Sequence, residues 1–182
     1  MSSEADRVLE LTLARPPTLG AGRLICVDGP AGSGKTTLAA AVSERTGAPV
    51  VHMDDLYPGW DGLPEVRGRL SALLRPLAEG RAGSYRRYDW LEGRFAETVT
   101  VAPSELLVLE GVGSGSRVVA DLATVIVWIE APYELRMRRG IERDGEAFEP
   151  HWLSWAEAER LHFAGEGTRE RADLLVDGTG AA

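Results

Sequence analysis

The sequence contains a single lysine and no asparagine. Lys35 is the only lysine, because every other residue among the 20 lysines and arginines is an arginine. A chain without asparagine cannot form the N-K-x-D motif with which GTPase switches read guanine, so that class of switch protein is disfavoured. A compositional preference for arginine would explain the scarcity of lysine. A site that needs a compact ammonium would explain why one lysine is retained.

Cysteine is equally scarce, and long apolar runs are missing. The one cysteine, Cys26, lies in an apolar stretch, so an internal disulfide is excluded and we expect a small buried side chain in a reducing cytoplasm. The longest apolar runs, such as ATVIVWI, are too short to cross a bilayer, so no membrane partner is expected. The formal net charge of -8 argues against nucleic acid as a partner, since binding phosphates requires a basic surface.

Short apolar segments alternate with helical segments along most of the chain. Strand-like segments occupy residues 23–28, 49–54, 105–110, 121–132 and 172–178, and helical patterns cover 36–47, 63–77, 133–145 and 152–167. Residues 83–90 and 97–103 alternate like a hairpin. This order predicts an α/β domain whose parallel sheet is covered on both faces. The length fits one domain, which we place at residues 21–182, after an N-terminal arm at residues 1–20.

The stretch GPAGSGKTT matches the pattern G-x-x-x-x-G-K-[ST] between a predicted strand and a predicted helix. Small residues let the backbone curl so that successive N–H groups point inward, and the helix adds its positive end. The ammonium of Lys35 would reach the β and γ phosphates of a nucleotide triphosphate. The predicted nucleotide-binding residues are Gly29, Pro30, Ala31, Gly32, Ser33, Gly34, Lys35, Thr36 and Thr37. A glycine-rich turn without a ligand is the structural alternative.

Two side chains are candidate ligands of Mg²⁺. The hydroxyl of Thr36 follows the lysine of the motif and would bind the metal. Magnesium usually also needs a carboxylate at the end of a neighbouring strand, and Glu110 ends the apolar run LLVLE. A strand-end carboxylate that faces solvent is the alternative for Glu110. Asp28, beside the loop, is interpreted as a structural residue.

A pair of acidic residues, Asp54 and Asp55, follows the second predicted strand, and therefore lies at the sheet edge where ligands bind. A hydroxyl acceptor loses a proton during phosphoryl transfer, and Asp54 near the γ-phosphate can take it. An acceptor that is already a phosphate monoester needs no base but needs arginines, for which Arg86 and Arg87 are candidates. An acidic surface loop and strand-edge charge are the respective structural alternatives.

Motifs occur in a fixed order between about residue 23 and residue 144. They are GPAGSGKTT, DDLY after the second strand, YDW ahead of an arginine, VTVAPSELLVLEG and RMRRGIERD. Together they resemble the uridine kinase family of P-loop nucleoside kinases. The resemblance implies a three-layer P-loop NTPase fold with a five-stranded parallel sheet, in the order 2-3-1-4-5, and an arginine-rich lid helix at about residues 132–148. It also implies a kinase that uses ATP and Mg²⁺ to phosphorylate a hydroxyl of a nucleoside-like acceptor, with a homo-oligomer as a further expectation.

The resemblance assigns roles to residues on the acceptor side. It implies that Asp54 is the base toward the sugar 5′-hydroxyl. The implied acceptor-binding residues are Asp54, Tyr57, Tyr88, Asp89 and Arg94. Family members that take uridine or cytidine use a histidine near the Tyr-Asp pair to read the base, and the stretch YDWLEGR contains none. The identity of the acceptor therefore stays open.

The lid is the last implied element. Arg136, Arg139 and Arg143 fall on the family pattern R-x-x-R-x-x-x-R-D. Residues three and four apart lie on one helical face, so these guanidiniums can converge over the triphosphate and offset the charge that develops during transfer. A solvated basic helix face is the structural alternative.

Several features remain outside this scheme. The histidines His52, His151 and His162 are interpreted as packing residues, and Trp60 either clamps an acceptor ring or caps a loop. A kinase for a nucleoside monophosphate or a coenzyme precursor is the alternative within enzymes. A nucleotide-hydrolysing switch protein is the alternative from a different class.

Overall fold

The computed structural model describes residues 3–145 and 149–180, so the end of the predicted lid, residues 146–148, and the chain termini lie outside the described residues. The helices are α1 (Glu4–Leu13), α2 (Lys35–Thr46), α3 (Val66–Ala78), α4 (Tyr133–Asp144), α5 (Trp152–Glu166) and α6 (Thr168–Arg171). The strands are β1 (Arg23–Asp28), β2 (Val50–His52), β3 (Gly83–Asp89), β4 (Arg94–Val101), β5 (Leu106–Glu110), β6 (Val125–Glu130) and β7 (Leu174–Asp177).

The central sheet has five parallel strands in the order β2-β5-β1-β6-β7. Counted without the hairpin strands β3 and β4, this is the expected order 2-3-1-4-5, so the predicted fold class is confirmed. The carboxyl ends of β1, β2 and β5 are neighbours at one edge of the sheet. The phosphate loop, the DDLY segment and Glu110 follow or end these three strands, and the fold therefore gathers them.

Both faces of the sheet are buried, as the nearly uninterrupted apolar strands require. On one face, side chains of α3 such as Leu70 and Leu74 pack with Leu24 of β1 and Leu109 of β5. On the other face of the sheet, Leu38 and other apolar residues of α2 pack against the side chains that the same strands direct to that face. Along a strand, successive side chains point to opposite faces, so each core strand contributes to both layers.

The segment expected to be an N-terminal arm contains a helix, α1, that is part of the core. Ser3 and Asp6 form a reciprocal capping box at its start. The apolar residues Ala5 and Val8, on one face of the helix, are almost completely buried in the cluster that contains α2. The sequence interpretation missed this helix, although Ala5 and Val8 have helical spacing and Ser3 with Asp6 forms a capping signal.

The predicted hairpin forms a separate two-stranded antiparallel sheet, β3 and β4, beside the core. It packs on α3 so closely that a Cβ on Gly83 would lie 2.2 Å from the carbonyl oxygen of Leu73. The turn of the hairpin contacts the loop that carries Asp54: the indole N–H of Trp90 donates to the backbone oxygen of Asp54 at 2.9 Å. The hairpin is therefore a wall next to the site.

None of the helices within residues 3–145 and 149–180 is long and apolar enough to cross a membrane.

Replacing Leu74 with alanine should destabilise the fold without touching the site. Leu74 is fully buried between α3 and the sheet, so Leu74→Ala removes apolar contacts and leaves a cavity, at a cost of about 2–5 kcal/mol. Leu153→Ala is the control, since Leu153 is 73% exposed and its loss should change the free energy of unfolding by less than about 0.5 kcal/mol. Urea unfolding measures both variants, and equal stabilities would contradict the predicted packing of α3.

Candidate functional site

The phosphate loop has the left-handed backbone that its glycines permit. Gly29, Gly32 and Gly34 have φ values of 140°, 76° and 104°, which residues with a Cβ rarely adopt. A Cβ on Gly29 would lie 2.1 Å from the backbone oxygen of Ile129, and one on Gly32 would lie 2.3 Å from that of Arg136. The loop is therefore fixed in shape by β6 on one side and by α4 on the other, ahead of the N-terminus of α2.

Lys35 is buried at the start of α2, with 7% of its surface exposed. Its ammonium donates to the backbone oxygen of Pro30 at 2.8 Å, which holds the side chain against the loop. Burial lowers the pKa of Lys35, and surrounding carboxylates oppose this shift. The carboxylates, in order of their effect, are Glu159, Glu110, Asp28 and Asp54. The ammonium thus lies in a pocket of negative charge.

Glu110 and Thr36 are brought together, as the metal hypothesis requires. The Thr36 hydroxyl lies 3.3 Å from one carboxylate oxygen of Glu110 and 3.4 Å from the other. Glu110 is buried, which rules out the solvent-facing alternative for its side chain. His52 Nδ1 is 2.6 Å from Glu110 Oε1, and this contact with the carboxylate is the main cause that raises the pKa of His52.

The contact between His52 and Glu110 was not predicted, since His52 was interpreted as a packing residue. The two residues are register partners on the adjacent parallel strands β2 and β5. The partner of a histidine at the end of a strand can be predicted only when both the order of the strands and their register are known. The resemblance to the uridine kinase family implied the strand order but not the register.

Asp54 lies in a single turn of 3₁₀ helix (Met53–Asp55) directly after β2, and its side chain is exposed. Asp54 follows the carboxyl end of β2, at the same edge of the sheet as the phosphate loop that follows β1. Its negative charge acts to raise the pKa values of Lys35, His52 and Tyr57. Tyr85, on the hairpin, donates to Asp55 at 3.2 Å. The acidic pair is thereby divided: Asp55 is tied to the hairpin, and Asp54 is near the buried lysine.

Tyr57 differs from its predicted role as an acceptor-lining residue. It is fully buried, and its hydroxyl donates to the backbone oxygen of Val112 at 2.5 Å. Its ring makes an edge contact with Trp155, with the ring centroids 5.0 Å apart. Tyr57 can therefore support the wall of a pocket but has no hydroxyl available for an acceptor. Its burial follows from the α5 helix packing over the DDLY loop, which the sequence could not reveal.

The remaining predicted acceptor residues lie in the hairpin. Tyr88 is half-buried and makes edge contacts with Trp90 and Phe95. Asp89 caps its own turn, accepting backbone N–H bonds from Leu91 and Glu92 at 3.0 Å each. The side chain of Arg94 is 70% exposed and lies 3.7 Å from Glu92. In this conformation Tyr88 faces the aromatic cluster, while Asp89 and Arg94 serve the turn.

Aromatic rings form a cluster between the DDLY loop, the hairpin and the segment after α4. Trp60 is stacked on His151, with centroids 4.6 Å apart and planes inclined by 7°. Trp60 also makes edge contacts with Trp90 at 4.8 Å and with Trp155 at 6.1 Å. We call Trp60, Trp90, His151 and Trp155 the aromatic wall. Its composition resolves Trp60 as a shared contact of three elements rather than a cap of its own loop.

The lid arginines contact the phosphate loop. Arg136 donates to the backbone oxygen of Ala31 at 3.2 Å, and Arg139 donates to the backbone oxygen of Gly178 at 2.7 Å and approaches that of Gly32 at 3.4 Å. Both guanidiniums are partly buried, whereas Arg143, one turn further along α4, is exposed. The first half of α4 is therefore packed on the loop, which a solvated basic helix face would not be.

A cavity of about 740 Å³ opens beside the loop. Its lining includes Pro30 of the loop, Arg136 of α4 and, at the ends of two strands, Trp128, Glu130, Leu175 and Val176. The lining combines an aromatic ring and aliphatic side chains with carboxylate and guanidinium groups. A cavity of this size and mixed polarity is typical of sites for small organic ligands.

Asp28 holds the loop that follows β5 and has the structural role expected of it. Its two carboxylate oxygens accept backbone N–H bonds from Gly29 at 2.7 Å, Gly113 at 2.9 Å and Gly115 at 2.8 Å. Burial raises the pKa of Asp28 to about 6, although these N–H groups lower it. The carboxylate thereby connects the phosphate loop to the glycine-rich segment 111–116.

Fold and site together define a small-molecule kinase with a P-loop fold. A family model described as Phosphoribulokinase / Uridine kinase family matches residues 67–147, which confirms the resemblance to that family. The cytidylate kinase of Methanococcoides burtonii is 28% identical over 136 residues, which are 75% of this chain and 71% of that relative. The cytidylate kinase of Methanobrevibacter smithii is 30% identical over 124 residues, 68% of this chain and 66% of the relative. The matches thus span about two thirds of these relatives.

Solved structures share the architecture. A possible uridine kinase from Bacillus stearothermophilus superimposes with a TM-score of 0.66 at 24% identity, covering 94% of this chain and 98% of that one. Shikimate kinase from Acinetobacter baumannii gives a TM-score of 0.52 at 18% identity, with 88% and 86% covered. At such identities the likeness shows the fold.

The stability of the protein should record the titration of Asp28. Its folded pKa of about 6 exceeds the ordinary value of 3.8, so the folded state binds this proton more tightly than the unfolded state. The contribution of Asp28 to stability is therefore largest at low pH and falls as pH rises from about 4 to about 6. Asp28→Asn lacks this titration.

We expect the stability of the wild type relative to Asp28→Asn to fall over that interval by at most about 3 kcal/mol and to stay level above it. Urea unfolding at pH 4.5 to 7.5 measures the difference. A difference that is constant across this range would contradict a raised pKa.

Proposed function

We propose that this protein transfers the γ-phosphate of ATP, with Mg²⁺, to a hydroxyl group of a nucleoside-like small molecule in the cytoplasm. The observation that carries the proposal is the placement of the exposed Asp54 directly after β2, at the sheet edge where the phosphate loop and the buried Lys35 also lie. A hydroxyl nucleophile needs a group that takes its proton, and a phosphoryl donor needs a cation at its transferred group. In the proposed reaction Asp54 meets the first requirement and Lys35 meets the second.

The phosphate loop and the adjacent cavity suit a nucleotide triphosphate. The left-handed glycines orient backbone N–H groups, and α2 adds its N-terminal positive end to the ammonium of Lys35. The cavity lined by Trp128, Leu175 and Val176 is continuous with the loop residue Pro30 and suits the base and ribose. The charge on the phosphates would be offset by Lys35, Arg136 and Arg139. Preference for ATP rests on the resemblance to the uridine kinase family.

Thr36 and Glu110 suit Mg²⁺ by their chemistry. Both offer oxygen donors, which this ion prefers, and Mg²⁺ commonly uses one or two protein oxygens together with phosphates and water. Held by Thr36 and Glu110, the ion would offset the charge of the phosphates. Glu110 is already fixed by burial and by His52, so it would be available with little loss of side-chain entropy.

Within the proposed reaction, Asp54 accepts the proton of the acceptor hydroxyl while the acceptor lies beside the hairpin turn and the aromatic wall. Flat rings such as Trp60 and Trp90 favour a planar group on the acceptor, since aromatic faces stack. Arg136 and Arg139 are close enough to the loop to stabilise charge on the transferred phosphoryl group once they turn from backbone oxygens to phosphate oxygens.

A nucleoside monophosphate is the second candidate acceptor, because the curated relatives at 28% and 30% identity are cytidylate kinases. The arginines expected to clamp its phosphate are engaged elsewhere. Arg86 donates to the backbone oxygens of Phe95 and Ala96, and Arg87 pairs with Glu97 at 2.7 Å. A monophosphate would thus have to be held by other cations, or Arg86 and Arg87 would have to turn from these partners to the phosphate.

An acceptor panel separates the two candidates. The protein with Mg-ATP should form ADP faster when a nucleoside is added, and more so than with the corresponding monophosphate. ADP formation is measured by a coupled assay with cytidine, uridine, their monophosphates and non-nucleoside alcohols. Stimulation by cytidine monophosphate alone would replace the hydroxyl acceptor with the monophosphate. Hydrolysis that no acceptor stimulates, in a folded protein that binds ATP, would favour the nucleotide-hydrolysing switch.

Asp54→Asn tests the base. The amide keeps the shape of the side chain but cannot take a proton, so acceptor-dependent turnover should fall by about 10²- to 10⁴-fold while the dissociation constant of ATP changes little. Turnover and ATP binding are measured in parallel, and Asp55→Asn is the matched control because Asp55 is tied to Tyr85 on the hairpin. Full activity of Asp54→Asn would remove the base from the proposal.

A further inference from the structure

Glu159, in the middle of α5, is a buried carboxylate that belongs to no motif of the sequence. Its Oε1 accepts the backbone N–H of Ala31 at 2.6 Å and the indole N–H of Trp155 at 2.8 Å. The side chain is 4% exposed. Ala31 is a phosphate-loop residue and Trp155 belongs to the aromatic wall, so one carboxylate oxygen links the two sides of the site.

The second oxygen of Glu159 faces the lid. Oε2 lies 3.7 Å from Nη1 of Arg136, whose side chain is only 12% exposed. The same guanidinium donates to the backbone oxygen of Ala31 at 3.2 Å. Glu159 therefore accepts a hydrogen bond from the N–H of Ala31, and Arg136 donates one to its C=O. Both backbone polar groups of this loop residue are bonded to one buried pair of opposite charges.

The charge of Glu159 also reaches Lys35. Among the carboxylates that raise the pKa of Lys35, Glu159 has the largest effect, ahead of Glu110, Asp28 and Asp54. A neutral hydrogen-bond acceptor would satisfy Ala31 and Trp155 equally well. Burial raises the pKa of Glu159, and Lys35, the backbone N–H of Ala31 and Arg136 oppose that shift, so the two cations offset part of the cost of burying its negative charge.

We propose that Glu159 is a positioning residue that serves as an internal counter-anion of the phosphate loop and weakens the binding of nucleotide. It compensates Lys35 and Arg136 while no phosphate is bound. When phosphates occupy the loop, the carboxylate is a like charge beside them, and it promotes release of the product ADP. The inference rests on the proposed function in one respect, namely that the loop binds an adenine nucleotide.

Glu159→Gln tests the inference through the affinity for Mg-ADP. The amide oxygen can still accept from Ala31 and Trp155, while the charge and the oxygen that faces Arg136 are lost. We expect Mg-ADP to bind more tightly by roughly three- to tenfold, as the removal of a partly screened like charge implies. A merely structural role predicts the opposite, because a disturbed loop binds phosphates less well. Isothermal titration with Mg-ADP measures the dissociation constants.

Two matched variants accompany the test. Glu166→Gln alters another buried carboxylate of α5, which pairs with Arg67 at 2.6 Å and accepts the backbone N–H of Arg117 at 2.6 Å. It should leave the affinity for Mg-ADP within about twofold of the wild type, because the partners of Glu166 are Arg67 and Arg117 rather than residues of the phosphate loop. Glu159→Asp keeps the charge and should not bind Mg-ADP more tightly than the wild type.

The outcomes separate the inference from the proposed function. Absence of Mg-ADP binding by the wild type would overturn the proposed function and this inference together. If the wild type binds, unchanged or weaker binding by Glu159→Gln overturns the role of Glu159 alone. Should free Glu159→Gln fail to fold by circular dichroism, Mg-ADP must restore the folded state, since phosphate replaces the missing anion. Failure of that rescue also overturns the inference.

Discussion

The site depends on one buried cation. Lys35 is the only lysine of the chain, and it is placed where burial alone would favour its neutral form. Carboxylates from four separate elements oppose this effect of burial on the pKa of Lys35: Asp28 at the end of β1, Asp54 after β2, Glu110 at the end of β5 and Glu159 on α5. The strand order brings the first three to one edge, and the packing of α5 adds the fourth. The surroundings of the ammonium therefore depend on both the strand order of the sheet and the packing of α5.

These carboxylates are not equivalent, and their surroundings separate their roles. Asp28 is saturated by three backbone N–H groups, so it organises loops. Glu110 is held between a hydroxyl and an imidazole, which leaves it suited to a cation. Asp54 is exposed and Glu159 is clamped between a backbone N–H and a guanidinium. One electrostatic pocket therefore holds a structural acid together with the carboxylates proposed as metal ligand, base and counter-anion.

The sequence predicted what is local, and it failed where partners come from distant segments. The phosphate loop needs only its own glycines and the flanking strand and helix, and the pattern around Lys35 was sufficient to find it. The contact of His52 with Glu110 depends on a strand register, and that of Glu159 with Ala31 on the docking of a late helix. Tyr57 was assigned to a pocket because its motif is local, but its orientation is set by Trp155. Periodicity carries no information about such long-range contacts.

The helix α1 has a consequence for handling the protein. Val8 is buried in the apolar cluster that contains α2, and α2 begins at Lys35. The helix that carries Lys35 is therefore supported by α1, a segment far upstream in the chain. Shortened versions that start at the first strand would uncover the apolar side of α2 around Val42 and invite aggregation. Affinity tags are better attached where they leave the Ser3 capping box intact.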